Sequence, residues 1–363
     1  MIPAATPAVP RTVSALATAV TALLLVATGT VSVRSSVAPA ALASVGGATS
    51  VGRATLPPTT TLPPPPKPLP GPLSNPQSLD DTLVATGYKV PPGANVYAAK
   101  VTRTDAGLSY DDYQAGGGAL GSAFWPASSI KVLAAVGALE FVAGQGFSGA
   151  ATVSFSGGGA RTLRSIYDNA IRVSSNDDYD TLVEVAGVDW LNSQFLTPAR
   201  GFPTTVIQRS YAGNDVLNTP AITLSEAGRK VTLPARANHV VPECAQGQCS
   251  NLFEMSESVR RVVLNDEIPE GERFHIARAD VAGISSALLG AEGWIAPAVT
   301  RVLGPSARIY SKPGYVSGLD CMDVTLIEAK GQRFLLSATV PDSQGGCGAL
   351  VTLAAGVLRA LTR

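Results

Sequence analysis

The stretch of sequence that most strongly indicates the fold is FWPASSIKVLAA, at residues 124–135. Its proline, Pro126, suits the first turn of a helix, because the N–H that proline lacks would have no partner there. Apolar residues then continue on every side of the helix as far as Val142. Such a pattern is typical of a buried helix and not of a surface helix. The stretch therefore predicts an interior helix.

Ser128 and Lys131 begin this helix as a Ser-x-x-Lys motif. Residues three apart lie on one helix face, so the lysine follows the serine by one turn. Desolvation lowers a lysine pKa, and a neutral lysine can take a proton from a serine hydroxyl. The motif thus offers a nucleophile and its base. The alternative is structural: a serine helix cap followed by a lysine whose ammonium reaches solvent.

The composition excludes several classes of protein. The chain has 363 residues, 45% of them apolar, and a formal net charge of zero, so no basic patch for nucleic acid is indicated. Only two histidines are present and no Gly-x-Ser-x-Gly motif occurs, which disfavours a Ser-His-Asp hydrolase. We predict no cofactor and no bound metal, and we expect a monomer.

The first part of the chain reads as an export region. Residues 1–43 have a basic start, an apolar middle and Ala-x-Ala sites, as a secretory signal does. An uncleaved membrane anchor is the alternative, because the apolar stretch is long enough to span a bilayer. Residues 44–78 are a linker rich in proline, which is extended and semi-rigid. We predict an exported or envelope-associated protein whose folded domain spans residues 79–363.

The domain reads as a mixture of strands and helices. Strands are predicted at 95–103, 110–121, 152–155, 307–316, 322–329 and 333–340, and helices at 163–173, 179–188, 255–264, 280–289 and 349–361. Thr219-Pro220 predicts a further helix start, and residues 201–218 read as a long loop. Strands near both ends around a helical middle predict an α/β (α+β) fold, in which an antiparallel sheet is built from both chain ends and an all-helical lobe is inserted.

The four cysteines are predicted to form two disulfides. Cys244 and Cys249 are close enough in sequence for a small loop, and an antiparallel hairpin would bring Cys321 and Cys347 together. A zinc site that uses the first pair together with His239 and Glu243 is the alternative. Its spacings do not follow the usual zinc patterns.

Three short motifs together resemble those of serine β-lactamases and penicillin-binding proteins, and class A β-lactamases most of all. The family has Ser-x-x-Lys, Ser-Asp-Asn and Lys-Thr-Gly in that order. This chain has SSIK at 128–131, SSN at 174–176 and KPG at 312–314. The resemblance extends from about Asn95 to the C-terminus and implies the β-lactamase/transpeptidase-like fold.

The resemblance also implies a role for each motif residue. Ser128 would be the nucleophile, Lys131 its base, and Ser174 the relay of a proton to the leaving nitrogen. Asn176 would bind the amide of the substrate, and Lys312 would attract the carboxylate of the substrate. Backbone N–H groups at Ser128 and at Tyr315, beside Gly314, would form the oxyanion hole. As structural alternatives, Ser174 and Asn176 are ordinary helix-boundary residues and Lys312 is a solvated strand-end charge.

Three positions depart from the family pattern. Ser175 stands where the second motif has aspartate, Pro313 replaces a hydroxyl residue, and Tyr211 falls where class A enzymes carry the loop glutamate that activates the deacylating water. Asp215 is the nearest carboxylate and a candidate substitute, and Glu226 lies further on. The sequence therefore predicts an exported serine hydrolase that acts on β-lactams or related cell-wall amides. The alternatives are a D-alanyl-D-alanine peptidase or slow penicillin-binding protein, and a non-catalytic cell-wall binding module.

Overall fold

The computed structural model describes residues 76–105, 107–120, 124–155, 159–244 and 246–363. The predicted leader and most of the predicted linker lie outside these residues, so both stay predictions. The strands are β1 (Gln77–Ser78), β2 (Asn95–Thr104), β3 (Gly107–Gly116), β4 (Thr152–Phe155), β5 (Arg161–Thr162), β6 (Val206–Ile207), β7 (Asn218–Thr219), β8 (Ile222–Glu226), β9 (Arg229–Leu233), β10 (Arg236–Ala237), β11 (Gln248–Cys249), β12 (Arg308–Val316), β13 (Asp320–Ala329) and β14 (Gln332–Pro341). The helices are α1 (Asp80–Ala85), α2 (Lys131–Gly144), α3 (Leu163–Arg172), α4 (Asn176–Ala186), α5 (Val188–Trp190), α6 (Leu252–Val263), α7 (Arg278–Leu289), α8 (Ala296–Leu303) and α9 (Gly346–Leu361).

The main sheet has six strands in the order β1-β3-β2-β14-β13-β12. The early strand β2 pairs antiparallel with the late strand β14, so residues from both ends of the domain build one sheet. A tight turn joins β13 to β14 through Lys330 and Gly331, whose φ angles of 51° and 75° suit a two-residue hairpin loop. The predicted sheet built from both chain ends is confirmed.

Side chains alternate between two hydrophobic cores along β14. Leu335 faces the core that contains α2, α3, α4 and α6, whereas Phe334 and Leu336 face the core beneath α8 and α9. This alternation is the two-residue period of a strand that is covered on both faces. The sheet is therefore a middle layer, with the inserted lobe on one side and the terminal helices on the other.

The predicted interior helix is α2, which follows directly on a 3₁₀ turn at Ala127–Ile130. The span Ala127–Gly144 is apolar and long enough to cross a membrane, but 78% of it is buried inside the folded domain. Buried apolar helices of soluble cores have this composition. The prediction of a core helix is confirmed.

The helix predicted at Thr219-Pro220 is wrong. Residues 222–233 form the hairpin β8–β9 instead, and β8 also pairs with β4 in a four-stranded sheet. Along β8, Ile222 and Leu224 are buried, whereas Thr223 between them is partly exposed. The turn uses Ala227 and Gly228 at φ angles of 49° and 81°. The inserted lobe is thus mainly helical but contains a small sheet.

Both disulfide predictions are confirmed. Cys244 is joined to Cys249, and Cys321, at the start of β13, is joined to Cys347, at the start of α9. These bonds also remove the zinc alternative, because bonded sulfurs are not thiolate ligands. The side chain of His239 contacts Asp189 at 2.8 Å and is largely exposed. The second disulfide ties the last helix to β13 of the main sheet.

Candidate active site

Ser128 lies in the 3₁₀ turn just before α2. Its neighbours Ala127, Ser129 and Ile130 are all at least 98% buried, whereas Ser128 is partly exposed. Ala127 has a φ of 45°, a strained conformation for a residue with a Cβ atom. This backbone presents one hydroxyl to the surface from a turn that is otherwise buried.

Lys131 is the first residue of α2, and its side chain is fully buried. Its Nζ donates to the backbone oxygen of Ser174 at 2.5 Å and to Oδ1 of Asn176 at 2.7 Å. Burial, and next the positive charge of Lys312, lower the pKa of Lys131 to about 7. A substantial share of this side chain is therefore neutral near pH 7 and able to accept a proton.

Ser174 lies between two lysine amines. Its Oγ is 2.9 Å from Nζ of Lys312 and 3.3 Å from Nζ of Lys131. The residue has a φ of 59°, and the next residue, Ser175, caps α4 by accepting a hydrogen bond from the N–H of Asp178 at 3.2 Å. The strained turn before α4 therefore aims both Ser174 and Asn176 at Lys131. The structure brings these motif residues together as the sequence predicted.

Lys312 is the buried cation on β12, the edge strand of the main sheet. Burial lowers its pKa to about 8, and the nearby carboxylate of Asp323 partly opposes that shift. Asp323 is buried as well and accepts hydrogen bonds from Ser311 Oγ at 2.5 Å and from the N–H of Ile295 at 3.0 Å. Burial raises the pKa of Asp323 to about 6. Lys312 is thus a fixed interior charge and not a solvated strand-end residue.

The Lys-Pro-Gly sequence fits its place at the edge of the sheet. An edge strand tolerates Pro313, because proline has no N–H to give to a ladder. A Cβ atom at Gly314 would lie 3.0 Å from the carbonyl oxygen of Pro126 and 2.8 Å from Cγ of Met322. Glycine therefore lets β12 approach the turn that carries Ser128. Tyr315 follows on the same strand, 46% exposed, with its ring edge-on to Trp294.

Tyr211 contacts the turn that contains Ser128. Its hydroxyl accepts from Nε1 of Trp125 at 3.3 Å. Its single proton is shared between two acceptors, the backbone oxygen of Ala127 at 2.6 Å and Oε1 of Gln248. The centre of the Tyr211 ring is 5.5 Å from Nζ of Lys131. The position that the resemblance assigns to a glutamate is thus occupied by a phenol beside Lys131. Burial raises the pKa of the Tyr211 phenol.

Asp180 and Gln248 hold the loop that carries Tyr211. The Asp180 carboxylate accepts from the N–H of Tyr211 at 2.7 Å, from Ser210 Oγ at 2.7 Å and from the N–H of Ala212 at 2.9 Å. Gln248 donates to the backbone oxygen of Arg209 at 3.0 Å. Sequence reasoning missed both residues, because their partners are about 30 to 40 positions away in the chain. The only signal was their polarity in apolar surroundings.

The two other carboxylates considered for deacylation are held by contacts with residues outside the proposed site. Asp215 is exposed and accepts from the N–H and the Nδ2 of Asn218, as turn aspartates do. Glu226 accepts from Oγ of Ser148 at 2.6 Å and from its N–H at 2.8 Å, at the far end of β8. Neither carboxylate contacts Ser128, Lys131 or Ser174 in the described part of the chain.

This architecture is the β-lactamase/transpeptidase fold. Similar solved structures include a class A β-lactamase from Mycobacterium abscessus, with 14% identity, a TM-score of 0.53 and coverage of 78% of this chain and 99% of that chain. A mutant of PBP-A in an acyl-enzyme complex with penicillin G has 15% identity, a TM-score of 0.53 and coverage of 80% and 99%. A β-lactamase from Burkholderia vietnamiensis has 14% identity, a TM-score of 0.51 and coverage of 78% and 96%.

These similarities concern the fold. No protein-family model matches the sequence, and no curated protein matches it either. At such identities the resemblance places the strands and helices, whereas the chemistry depends on the side chains of this chain.

Proposed function

We propose that this protein is an exported serine hydrolase that forms an acyl-enzyme on Ser128 with β-lactams or related cell-wall amides. The observation that carries the proposal is the position of Ser174 Oγ, which is 3.3 Å and 2.9 Å from two buried lysine amines. Burying two such amines is costly, and a structural role does not require it. Paired groups whose pKa values approach neutrality are typical of catalytic sites.

The hydrogen bonds of Lys131 suit a neutral amine. Its two shortest contacts are to acceptors, the Ser174 carbonyl and the Asn176 amide oxygen. A neutral amine has two N–H groups for these acceptors and keeps one lone pair. The contact to Ser174 Oγ, at 3.3 Å, is longer and leaves this lone pair able to accept a proton. Lys131 would then be ready to accept the proton of a nucleophile.

The proposed reaction begins at Ser128. Its Oγ forms a bond to the carbonyl carbon while its proton moves to Nζ of Lys131. The N–H groups of Ser128 and Tyr315 would hold the oxyanion. Collapse breaks the carbon–nitrogen bond, and the nitrogen takes a proton from the Ser174 hydroxyl, which regains one from a neighbouring lysine. With a β-lactam the leaving nitrogen stays attached, so the adduct carries the whole mass of the drug.

Labelling with a fluorescent penicillin, followed by intact-protein mass measurement, tests this proposal. We expect one adduct per chain, which is lost in Ser128→Ala and Lys131→Ala and kept in Ser193→Ala, a change of an exposed serine elsewhere. An absence of adduct, or an equal adduct in Ser128→Ala, would refute the proposal. A non-catalytic cell-wall binding module would then be the better description.

A second candidate function is that of an enzyme that deacylates slowly, and the side chain of Tyr211 favours it. Tyr211 occupies the loop beside Lys131, and a phenol with a raised pKa is a poor general base near pH 7. A D-alanyl-D-alanine peptidase or slow penicillin-binding protein would keep its penicillin adduct for hours. Rapid turnover of nitrocefin would exclude this version and leave the acyl-enzyme step intact.

The proposed location rests on the two disulfides. All four cysteines of the sequence are paired. Disulfides persist in oxidising compartments and are rare in the cytosol. Together with the export region predicted at residues 1–43, they support a secreted or envelope-associated protein.

A further inference from the structure

Arg209 places its guanidinium over the ring of Trp125, with 4.4 Å between its central carbon and the ring centroid. Among the described residues the guanidinium makes one hydrogen bond, which is long: Nη1 donates to the backbone oxygen of Gln246 at 3.4 Å. The residue is exposed. Stacking on an aromatic ring fixes the plane of a guanidinium and leaves its N–H groups free to donate elsewhere.

Arg209 has no carboxylate partner. Within the described residues no Asp or Glu lies within ion-pairing distance of it, and the remaining residues of the sequence contain no Asp or Glu. Some arginines of the inserted lobe are paired, as Arg200 is with Glu140 at 2.6 Å, whereas Arg229 and Arg236 donate to backbone oxygens. The positive charge of Arg209 is therefore available to an external anion.

A chain of contacts connects Arg209 to the proposed nucleophile. Trp125, on which it stacks, donates to the Tyr211 hydroxyl, and that hydroxyl donates to the backbone oxygen of Ala127. Ala127 directly precedes Ser128. Trp125 and Tyr211, which support the Ser128 turn, thus also hold the guanidinium in place.

There is also room beside Arg209. A surface cavity of about 610 Å³ is lined by Arg209 together with the loop at 213–217 and residues 240–242. Asp215 is the one carboxylate in this lining, and its oxygens accept from Leu217 and Asn218 within its own turn. Arg209 is the one cation in the lining. An anionic substituent in this cavity would find a single positive partner.

We infer that Arg209 binds a carboxylate on the acyl portion of the substrate, so that the preferred substrates carry two carboxylates. The inference rests on the proposed function. Lys312 contacts Ser174, the proposed proton donor to the leaving nitrogen, and therefore serves the leaving-group side. Arg209 contacts neither residue, and its planar fork matches the geometry of a carboxylate. The protein would then select substrates by the charge of their acyl side chain.

Two penicillins that differ by one carboxylate test this inference. Carbenicillin carries a carboxylate on the side-chain carbon where benzylpenicillin has hydrogen. We expect the acylation rate ratio, carbenicillin over benzylpenicillin, to fall about two- to fivefold in Arg209→Gln, the scale of one partly exposed ion pair. Arg209→Lys should keep part of the preference, because it keeps the charge and loses the fork.

Arg229→Gln is the matched control. Arg229 is also exposed and also stacks on an aromatic ring, with 5.0 Å to the ring centroid of Phe147, but it lies on the β8–β9 hairpin. Its replacement should leave the ratio unchanged. An equal fall in Arg209→Gln and Arg229→Gln, or no fall in either, would overturn the inference.

Binding to the Ser128→Ala variant separates this inference from the proposed function. Calorimetry with the two penicillins should show tighter binding of carbenicillin, and adding Arg209→Gln should remove the difference. If the wild-type chain forms adducts but this preference does not depend on Arg209, only the inference fails. If no adduct forms and neither penicillin binds, both fail.

Discussion

The Tyr211 hydroxyl donates a hydrogen bond of 2.6 Å to the backbone oxygen of Ala127, the residue before Ser128. Ala127 has a φ of 45°, a conformation that costs free energy and needs support from its surroundings. The same hydroxyl accepts from the Trp125 indole at 3.3 Å. The loop that would carry a glutamate in class A β-lactamases here supports the backbone of the proposed nucleophile.

Tyr211→Phe should therefore weaken both the fold and the site. Removing the hydroxyl takes a partner from the Ala127 carbonyl, the Trp125 N–H and Oε1 of Gln248, and an unsatisfied buried group costs about 1–3 kcal/mol. We expect a loss of this size in the free energy of unfolding, measured by urea titration, and slower acylation of Ser128.

Tyr113→Phe is the control for this change. Tyr113 is a partly exposed residue of β3, and its hydroxyl makes no hydrogen bond to the described residues. This variant should match the wild type within about 0.5 kcal/mol. If Tyr211→Phe behaved in the same way, the proposed support of Ala127 would be wrong.

Tyr211→Glu should speed deacylation. It would place a carboxylate in the loop beside Lys131, where the wild-type ring centre lies 5.5 Å from Nζ. A positioned carboxylate can activate water, and general base catalysis contributes about a hundredfold or more. The penicillin adduct should decay at least about tenfold faster, followed by mass spectrometry. Tyr211→Gln, which has a similar shape and no base, should leave the adduct persistent, and equal decay in both variants would contradict the argument.

The acylation rate should depend on pH through the two lysines. It should rise as pH passes about 7, because Lys131 loses its proton there and becomes able to act as a base. It should fall above about 8, because Lys312 loses the charge that attracts the carboxylate of the substrate. The profile of labelling rate against pH would then be bell-shaped.

Lys312→Met checks the assignment of the rising limb. The positive charge of Lys312 helps to lower the pKa of Lys131, so its removal should move the rising limb to higher pH. The falling limb should disappear. Lys330→Met, which removes an exposed charge from the β13–β14 turn, should move neither limb. A rising limb that stays in place in Lys312→Met would mean that another group titrates there.

The sequence was a good guide wherever the signal was local. The α2 segment, the hairpin turn at Lys330 and Gly331 and the Cys244–Cys249 pair each follow from neighbouring residues, and the hairpin in turn predicts the Cys321–Cys347 pair. The order of the three motifs was enough to predict that Lys131, Ser174 and Lys312 lie close together, because the resemblance supplied the fold that joins them. The roles of these residues remain proposals.

Longer-range contacts decided the features that the sequence did not predict. Thr219-Pro220 carries a local helix-start signal, but pairing with β4 and β9 made the following residues a strand. Strand preference depends on such partners more than helix preference does. The support of Tyr211 by Asp180 and Gln248 was missed for the same reason, because contacts between distant residues leave no pattern in one sequence.

Asp180→Asn should release the loop that carries Tyr211. The carboxylate accepts hydrogen bonds from Ser210 Oγ and from the N–H groups of Tyr211 and Ala212, and an amide would turn one acceptor oxygen into a donor facing those donors. Hydrogen bonds to charged groups contribute about 1.5–3 kcal/mol each. We expect faster hydrogen exchange at residues 210–214, a lower unfolding free energy and slower acylation.

Asp177→Asn, in the exposed first turn of α4, is the control. It should cost only about 0.5 kcal/mol of unfolding free energy and leave exchange in the loop unchanged. Unchanged exchange in Asp180→Asn would show that the loop holds its place without this carboxylate.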